Sequence, residues 1–252
     1  MKDEQLLRFS RQIMLPTMDV AGQQELVDAT VLIVGMGGLG CPVAMYLSAA
    51  GVGQLVIADD DTVEITNLQR QIAHEQSNLG ESKVSSAEAT LKGLNPDVRI
   101  TQIKNRLEGD LLEQAVVSAD VVVDASDNFN TRFAVNQSCL KNKKPLVSGA
   151  AIRMEGQVAV FDSENPESPC YQCLYSECDD DNASCSQTGV MAPLVGIIGS
   201  VQAMETIKLI TGIGNSLVGR LLLLAAATMQ WREMKLPRDP SCPACGGSDG
   251  SS

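Results

Sequence analysis

Three glycines and an aspartate are the first residues of this chain that indicate chemistry. Gly35, Gly37 and Gly40 follow a short apolar run with the spacing G-x-G-x-x-G. Glycines at this spacing make a tight turn and let the backbone approach a phosphate, which then lies against free N–H groups at a helix N-terminus. A second apolar run ends at Asp59, where a carboxylate can accept a hydrogen bond from a ribose hydroxyl. The pattern predicts a nucleotide site.

The segment after Asp59 adds groups that a nicotinamide site does not require. Asn67, Gln69 and Arg70 place polar groups and a cation shortly after the predicted ribose-binding acid. Lys83 falls in the first turn of the next predicted helix, where the helix dipole disfavours a cation and a bound anion would offset that cost. A solvated surface lysine is the alternative interpretation of Lys83.

A fourth predicted strand ends in the sequence DASDN, residues 124–128, at the same sheet edge as the glycines. Asp127 could hold Mg²⁺ against nucleotide phosphates, because this hard cation favours one or two carboxylates together with phosphate oxygens. The alternative is that Asp127 caps the helix predicted over residues 130–142, and the two roles can coexist.

Arg11 and His74 are isolated in the sequence. Arg11 lies in the motif SRQI near the start of the chain, and its simplest interpretation is a solvated surface charge. His74 is the only histidine, and no serine or cysteine partner for a catalytic pair is evident. A loop or packing role is therefore the simplest interpretation of His74.

The eight cysteines include two C-x-x-C pairs. Cys170 and Cys173 form one pair, and Cys242 and Cys245 form the other. Four thiolates are enough to close a tetrahedral shell around Zn²⁺, which leaves no position for water and implies a structural role. Two disulfides or a redox-active pair are the alternatives.

The other four cysteines divide into two groups. Cys41 and Cys139 lie in helical patterns and are predicted to be buried and inert. Cys178 and Cys185 lie in a polar stretch. Cys185 is a candidate nucleophile for a thioester or for sulfur transfer, and an exposed bystander is the alternative.

The elements that must position these residues alternate between short apolar runs and helical patterns. This alternation predicts an α/β fold: a Rossmann-like, mostly parallel sheet flanked by helices and mixed at one edge. Predicted strands cover residues 31–34, 55–58, 98–103, 121–123, 146–151, 157–161, 221–225 and 229–235, and predicted helices cover residues 45–50, 82–94, 110–119, 130–142 and 191–211. We expect two short helices within residues 1–30, with Asp19 as a cap. Residues 162–190 indicate a long crossover loop, and the C-terminal tail would be held by zinc.

Composition limits the classes of function. The chain has 252 residues, a formal net charge of −12 and a pI near 4.5. A basic nucleic-acid-binding patch is therefore not expected. No signal peptide opens the chain, and the longest uncharged run, residues 189–204, is shorter than the roughly 20 residues of a membrane span. We therefore expect a cytoplasmic protein with neither nucleic acid nor membrane as a partner.

Taken together, these residues make the chain similar to the ThiF/MoeB family of ubiquitin-activating-type adenylyltransferases, which charge small sulfur-carrier proteins. The resemblance covers nearly the whole length and rests on SRQI, GMGGLG, TNLQRQ, the helix start at Lys83, DASDN, SGAAIRMEGQ and both cysteine pairs. It implies a homodimer that binds ATP and Mg²⁺. The implied reaction activates the C-terminal Gly-Gly tail of a ubiquitin-fold carrier as an acyl-adenylate and releases pyrophosphate.

The resemblance also implies roles for particular residues and regions. Asp59 would bind the ribose, and Arg11 would reach into the neighbouring subunit's site as an arginine finger does. The implied nucleotide-binding residues are Gly38, Asp59, Thr66, Asn67, Leu68, Gln69, Arg70, Lys83, Asp127 and Asn128. The implied catalytic residues are Arg11, Arg70, Lys83 and Asp127, of which Asp127 would coordinate Mg²⁺. Residues 1–252 would form one adenylyltransferase domain, with N-terminal helices (1–30), a nucleotide-binding core (31–150) and a carrier-binding, zinc-stapled part (151–252).

The identity of the carrier is less strongly indicated. SGAAIRMEGQVAVF and REMKLPRDPSCPACG resemble the molybdopterin-synthase branch, which would make the carrier the small subunit of that synthase. DDDTV and GQQELVDA resemble the thiamine branch, which places a covalent sulfur-transfer cysteine at the position of Cys185. No sulfurtransferase domain is evident, so we expect a separate sulfur-donor protein. A nicotinamide-dependent oxidoreductase and a non-catalytic carrier-binding scaffold are the alternatives from other classes.

Overall fold

The computed structural model describes residues 1–175 and 189–246. Its eight strands are β1 Thr30–Val34, β2 Gln54–Ala58, β3 Arg99–Ile103, β4 Val121–Asp124, β5 Leu146–Ile152, β6 Glu155–Phe161, β7 Arg220–Ala225 and β8 Gln230–Lys235. They form one sheet in the order β3-β2-β1-β4-β5-β6-β7-β8. Neighbours from β3 to β5 are parallel, and those from β5 to β8 are antiparallel. The predicted α/β sheet, mostly parallel and mixed at one edge, is confirmed.

The described helices are α1 Asp3–Arg8, α2 Ser10–Ile13, α3 Asp19–Asp28, α4 Gly40–Ala50, α5 Lys83–Leu94, α6 Gly109–Ser118, α7 Phe129–Asn142, α8 Tyr171–Leu174 and α9 Ala192–Thr211. Three helices precede the sheet, so the prediction of two was wrong. Phe9, whose ring is buried, interrupts the helical conformation between α1 and α2. Asp19 does not cap α3 as predicted, because it is the first helical residue and its carboxylate accepts the N–H of Val20 at 2.6 Å.

Alternate residues of the strands face two different helical layers, because successive side chains of a strand point to opposite faces. Val31 and Ile33 of β1 belong to the core that includes side chains of α3, α4, α5 and α9. Leu32 and Val34 belong to the core that includes side chains of α6, α7 and α8. All four are buried, which explains the uninterrupted apolar run of this strand.

The apolar helix α9 packs against α4, β5 and β6. In the described part of the chain it is the one helix long and apolar enough to cross a membrane by length and composition. Two of its buried polar side chains nevertheless form hydrogen bonds within the core. Gln202 Nε2 donates to the Asp124 carbonyl oxygen at 2.8 Å, and Glu205 Oε2 accepts the N–H of Leu217 at 2.7 Å. These bonds join α9 to the end of β4 and to the segment before β7.

The carboxyl ends of β2, β1 and β4 meet at one edge of the sheet. The ladder continues one residue beyond β1, where the N–H of Gly35 donates to the Ala58 carbonyl oxygen at 2.8 Å. On the other side, the N–H of Ala125 donates to the Val34 carbonyl oxygen at 2.9 Å. The glycine turn (residues 35–40), Asp59 and the segment after β4 therefore leave the sheet side by side, where ligands bind in open parallel sheets.

Two glycine substitutions test this arrangement. A Cβ at Gly40, the first residue of α4, would lie 1.8 Å from the Gly35 carbonyl oxygen. We expect Gly40→Ala to lower the free energy of unfolding by about 3 kcal/mol or more, because the backbone itself must move. A Cβ at the exposed Gly93 of α5 would meet nothing within 4 Å. Gly93→Ala should raise that free energy by about 0.5–1 kcal/mol. Chemical denaturation measures both, and wild-type stability of Gly40→Ala would contradict the described turn.

Candidate active site

The glycine turn forms one wall of a cleft of about 350 Å³ at the carboxyl edge of the sheet. Gly38 is closely packed, since a Cβ there would lie 3.0 Å from Cγ2 of Val195 on α9. A Cβ at Gly37 would have only Nε2 of Gln71 within 4 Å, at 3.6 Å. The backbone of Gly37 therefore faces the cleft without cover, as a close approach of a phosphate requires.

Asp59 is held at the end of β2 by the backbone. Its Oδ2 accepts the N–H of Met36 at 2.7 Å, and its Oδ1 accepts the N–H of Asp61 at 2.9 Å. Burial raises the pKa of Asp59, while the Lys83 ammonium, 3.8 Å from Oδ1, opposes that rise. Each carboxylate oxygen has a second lone pair for a ligand hydroxyl. The position and orientation of Asp59 fit a ribose.

Lys83 is buried at the first residue of α5. Its Nζ lies 2.7 Å from Oδ2 of Asp61, and its backbone N–H donates to the Asp61 carbonyl oxygen at 3.0 Å. The position of Lys83 at a helix N-terminus predicted a neighbouring negative charge, and within the chain the carboxylates of Asp59 and Asp61 supply it. Arg70 also lines the cleft, and its Nη1 donates to the Thr66 carbonyl oxygen at 3.0 Å.

Six of the predicted nucleotide-binding residues line this cleft: Gly38, Asp59, Arg70, Lys83, Asp127 and Asn128. The other four, Thr66, Asn67, Leu68 and Gln69, form the turn that precedes Arg70. Asn67 is engaged within that turn, where its Oδ1 accepts the N–H of Glu64 at 3.1 Å. The turn thus shapes the backbone that carries Arg70.

Asp127 and Asn128 have different tasks at the end of β4. Helix α7 begins at Phe129, one residue earlier than predicted, so Asn128 rather than Asp127 is its N-cap. Oδ1 of Asn128 accepts the N–H of Thr131 at 2.9 Å. The helix-cap alternative for Asp127 was therefore wrong, and its exposed carboxylate lines the cleft.

Gln71 was missed in the sequence, although it follows Arg70 directly in the TNLQRQ motif. It is buried and lines the cleft, and its Oε1 has no hydrogen-bond partner among the described residues. A buried acceptor without a partner costs about 1–3 kcal/mol. A ligand that donates to this oxygen would remove that cost.

Two arginines of the cleft were also missed. Arg106 lies just beyond the carboxyl end of β3, so the strand-end rule could have found it. Arg132 lies in the first turns of α7, where the helix-dipole argument used for Lys83 applies equally. Nη2 of Arg132 donates to the Ser126 carbonyl oxygen at 2.7 Å, and its Nε lies 3.9 Å from Oδ2 of Asp124.

Arg11 does not line the cleft of its own chain. It lies exposed on α2, beside a groove of about 500 Å³ that is also lined by Tyr46 of α4 and Met204 of α9. The side chains of Tyr46 and Met204 are both more than half exposed. One chain therefore brings Arg70 and Lys83 together and leaves Arg11 on a different surface.

The two cysteine pairs meet as the sequence predicts. Sγ of Cys170 lies 3.6 Å from Sγ of Cys242, and Sγ of Cys173 lies 3.4 Å from Sγ of Cys245. All four sulfur atoms lie within 4.8 Å of one another. A zinc–sulfur bond of about 2.3 Å gives tetrahedral sulfur–sulfur edges of roughly 3.8 Å, so this set fits that ion. Burial raises the pKa of Cys245 to about 11, so a cation must displace thiol protons.

The remaining cysteines are separate from this cluster. Cys41 and Cys139 are buried, as predicted, and burial raises the pKa of Cys41 to about 12, which keeps it an unreactive thiol. Cys178 and Cys185 lie outside the described residues, as does the rest of segment 176–188 of the crossover predicted over 162–190.

The fold and the cleft are those expected of the nucleotide-binding class of α/β proteins. The chain belongs to the ThiF family, whose profile matches residues 9–244. It is 47% identical over 246 residues to the molybdopterin-synthase adenylyltransferase of Salmonella typhimurium, with 98% of each chain covered. It is 43% identical over 249 residues to the sulfur carrier protein ThiS adenylyltransferase of Escherichia coli, with 99% of this chain and 98% of that one covered. The protein is an adenylyltransferase.

A solved structure shares the fold at lower sequence identity. E. coli MccB with ATP matches with a TM-score of 0.82 and 22% identity, over 95% of this chain and 73% of that one. The Rossmann-like assignment is thus confirmed independently of close relatives.

Asp124 and Asp127 lie close together in the sequence, but only Asp124 is expected to contribute to stability. Asp124 is buried and its carboxylate accepts the Ser126 hydroxyl at 2.6 Å and the Ser148 hydroxyl at 3.1 Å, near Arg132. We expect Asp124→Asn to lower the free energy of unfolding by about 3 kcal/mol, because the buried Arg132 guanidinium loses the negative charge beside it. The exposed Asp127→Asn should stay within about 0.5 kcal/mol of wild type.

Chemical denaturation of the two variants provides the test. Equal destabilisation would contradict the assignment of Asp127 to the cleft rather than to the cap of α7.

Proposed function

We propose that this protein adenylylates the C-terminal glycine carboxylate of a ubiquitin-fold sulfur-carrier protein. The observation that carries the proposal is that two neighbouring cavities share part of their lining. The nucleotide-type cleft continues into a groove of about 680 Å³ along β5, β6 and β7, and both are lined by Asp127, Asn128, Arg132 and Ala151. A nucleotide in the first and a peptide tail in the second would meet at these residues.

The groove has the lining that a peptide tail requires. Phe129, Tyr175 and Leu223 supply apolar surface, and Gln157 and Arg232 supply polar groups. The Nε2 of Gln157 donates to the Tyr175 hydroxyl oxygen at 2.5 Å, which fixes the aromatic ring. An extended Gly-Gly tail laid here would present its terminal carboxylate to the cleft.

The charges of the cleft suit an attack by that carboxylate on the α-phosphorus of ATP. A carboxylate oxygen forms the new bond to phosphorus as the bond to the β-phosphate oxygen breaks, and pyrophosphate leaves. Two unit charges of like sign at ~4 Å repel by about 4 kcal/mol at an effective dielectric near 20. If this repulsion remained uncompensated in the activation free energy, it would slow the reaction roughly 10³-fold.

The cations of the chain are placed to cancel this repulsion. Arg70 and Lys83, which would contact the phosphates, line the same cleft as Arg106 and Arg132. Asp127 would hold Mg²⁺, which supplies further positive charge at the phosphates when bound. No general base is needed, because the attacking carboxylate arrives ionised.

Both sulfur-carrier pathways remain candidates, since relatives named for each are 47% and 43% identical. We favour the small subunit of molybdopterin synthase, on the motifs shared with that branch. The alternative is the thiamine-pathway carrier, with Cys185 forming a covalent link. Membership of the ThiF family favours adenylyl transfer over the nicotinamide and scaffold alternatives.

Mass spectrometry of each purified carrier after incubation with this protein, ATP and Mg²⁺ tests the proposal. We expect an acyl-adenylate on one carrier and carrier-dependent ATP–pyrophosphate exchange. NAD binding without exchange would contradict the proposal. In the same spectra, a carrier adduct on the wild-type protein that is lost in Cys185→Ala would support a covalent route, and absence of any adduct on the wild type would exclude it, because that route joins the carrier to the thiol.

We further propose a homodimer in which Arg11 enters the site of the second copy. The support is that Arg11 does not line the cleft of its own chain and lies beside an exposed apolar groove. Mixing tests this proposal. Arg11→Ala and Arg70→Ala should each be inactive alone. A mixed dimer would regenerate one complete site, so an equal mixture should recover about a quarter of wild-type activity.

Subunit exchange must be verified by native mass spectrometry in the same mixture. No recovery in a mixture that contains mixed dimers would show that Arg11 acts within its own chain or not at all.

We also propose that the cysteine cluster holds structural Zn²⁺ and ties the C-terminal segment to α8. Cys242→Ser should lower zinc content and the free energy of unfolding together, because metal binding contributes to folding. Cys139→Ser is the matched control, since Cys139 is equally buried and lies outside the cluster. It should retain zinc even if its stability falls. Elemental analysis of both variants decides the question, and full zinc content in Cys242→Ser would exclude this site.

A further inference from the structure

His74 has no part in the chemistry proposed above, yet it lies buried directly beneath the glycine turn. Its Nε2 is 2.9 Å from the carbonyl oxygen of Met36, and its Nδ1 is 2.9 Å from Oγ of Ser86. Sγ of Cys41 is a weaker neighbour, 3.8 Å from Nε2. The imidazole thus bridges the turn and helix α5.

The partners of the imidazole define its protonation. A carbonyl oxygen can only accept, so Nε2 carries the proton, and Nδ1 accepts from the Ser86 hydroxyl. Burial lowers the pKa of His74, and the Lys83 ammonium acts in the same direction, whereas the Met36 carbonyl and the Asp59 carboxylate oppose it. The net effect favours the neutral ring.

A bond to the Met36 carbonyl has a consequence for the next peptide group. A trans peptide is planar, and its C=O and N–H point in opposite directions. With the Met36 carbonyl directed at His74, the N–H of Gly37 is directed away from His74. Gly37 lines the cleft, and its N–H has no partner among the described residues.

We propose that His74 is a positioning residue of the ATP site, which aims the Gly37 N–H into the cleft by holding the Met36 carbonyl on the opposite side. This inference rests on the proposed nucleotide site. The other end of Met36 is fixed too, because its N–H donates to Asp59. One residue of the turn is therefore held from both sides, by the ribose acid and by the imidazole.

Helix α5 couples the two supports. Ser86 and Lys83 are three residues apart and lie on one face of the helix. Ser86 orients His74, while Lys83 pairs with Asp59 and Asp61. A shift of α5 would therefore disturb the turn and the ribose acid together.

The first test is nuclear magnetic resonance of protein labelled with ¹⁵N-histidine, in which the single histidine gives an unambiguous signal. We expect the neutral Nε2–H tautomer at pH 7 and a shift of the imidazole signals when ATP is added. An Nδ1–H tautomer or an imidazolium at pH 7 would overturn the inference. Imidazole signals that do not shift when ATP is added, under conditions where calorimetry shows that ATP binds, would also overturn the inference.

The second test compares His74→Leu with His74→Gln. The Gln amide can replace the Nε2 donor, whereas Leu cannot donate at all. We expect His74→Leu to raise the dissociation constant and the KM for ATP about tenfold, the scale of one hydrogen bond, while kcat and the KM for the carrier change less than about twofold. His74→Gln should recover most of the lost affinity.

Asn95→Ala is the matched control. Asn95 is also buried, follows the end of α5 that is remote from Lys83, and donates to the Ser48 carbonyl oxygen of α4. It should lose stability without a change in the KM for ATP. Equal ATP affinity of wild type and His74→Leu would overturn the role of His74 alone. Failure of the wild type to bind ATP would overturn this inference together with the proposed function.

Discussion

The pairing of a largely buried carboxylate with a buried ammonium is the constraint on which the cleft depends. Asp59 and Lys83 are both withdrawn from water, and neither could remain there without partners. The backbone N–H groups of Met36 and Asp61 supply the remaining bonds to the carboxylate. The glycine turn, the end of β2 and the start of α5 must therefore keep their mutual positions. The proposed nucleotide site is thus shaped by the same interactions that hold these elements together.

Much of this arrangement could be predicted because parallel strands buried on both faces have a readable pattern. The apolar runs before Gly35 and Asp59 predicted β1 and β2 to within one residue. Their pairing then required that whatever follows each strand shares one edge of the sheet. Asp127 was found by the same rule, and the cysteine pairs were found because metal ligation requires specific residue types at short spacing.

Gln71 and His74 owe their positions in the site to contacts that no local pattern encodes. Gln71 matters because burial leaves its Oε1 without a partner, which is a property of the packed cleft. The N-cap of α7 depends on a difference of one residue in where the helix begins, and that difference makes Asn128 the cap in place of Asp127. His74 had a plain packing interpretation, and only the structure shows which carbonyl it holds.

The two acids that contact Lys83 differ in a way that matters for binding an anion. The Asp59 side chain is about one-tenth exposed, whereas that of Asp61 is 69% exposed. An ion pair to an exposed carboxylate contributes about 1 kcal/mol or less. A phosphate carries more charge and more acceptor atoms, so it can replace Asp61 as a partner of Lys83 at little cost. The interaction with the largely buried Asp59 does not involve Asp61, so it would keep the ammonium in place while its outer partner changes.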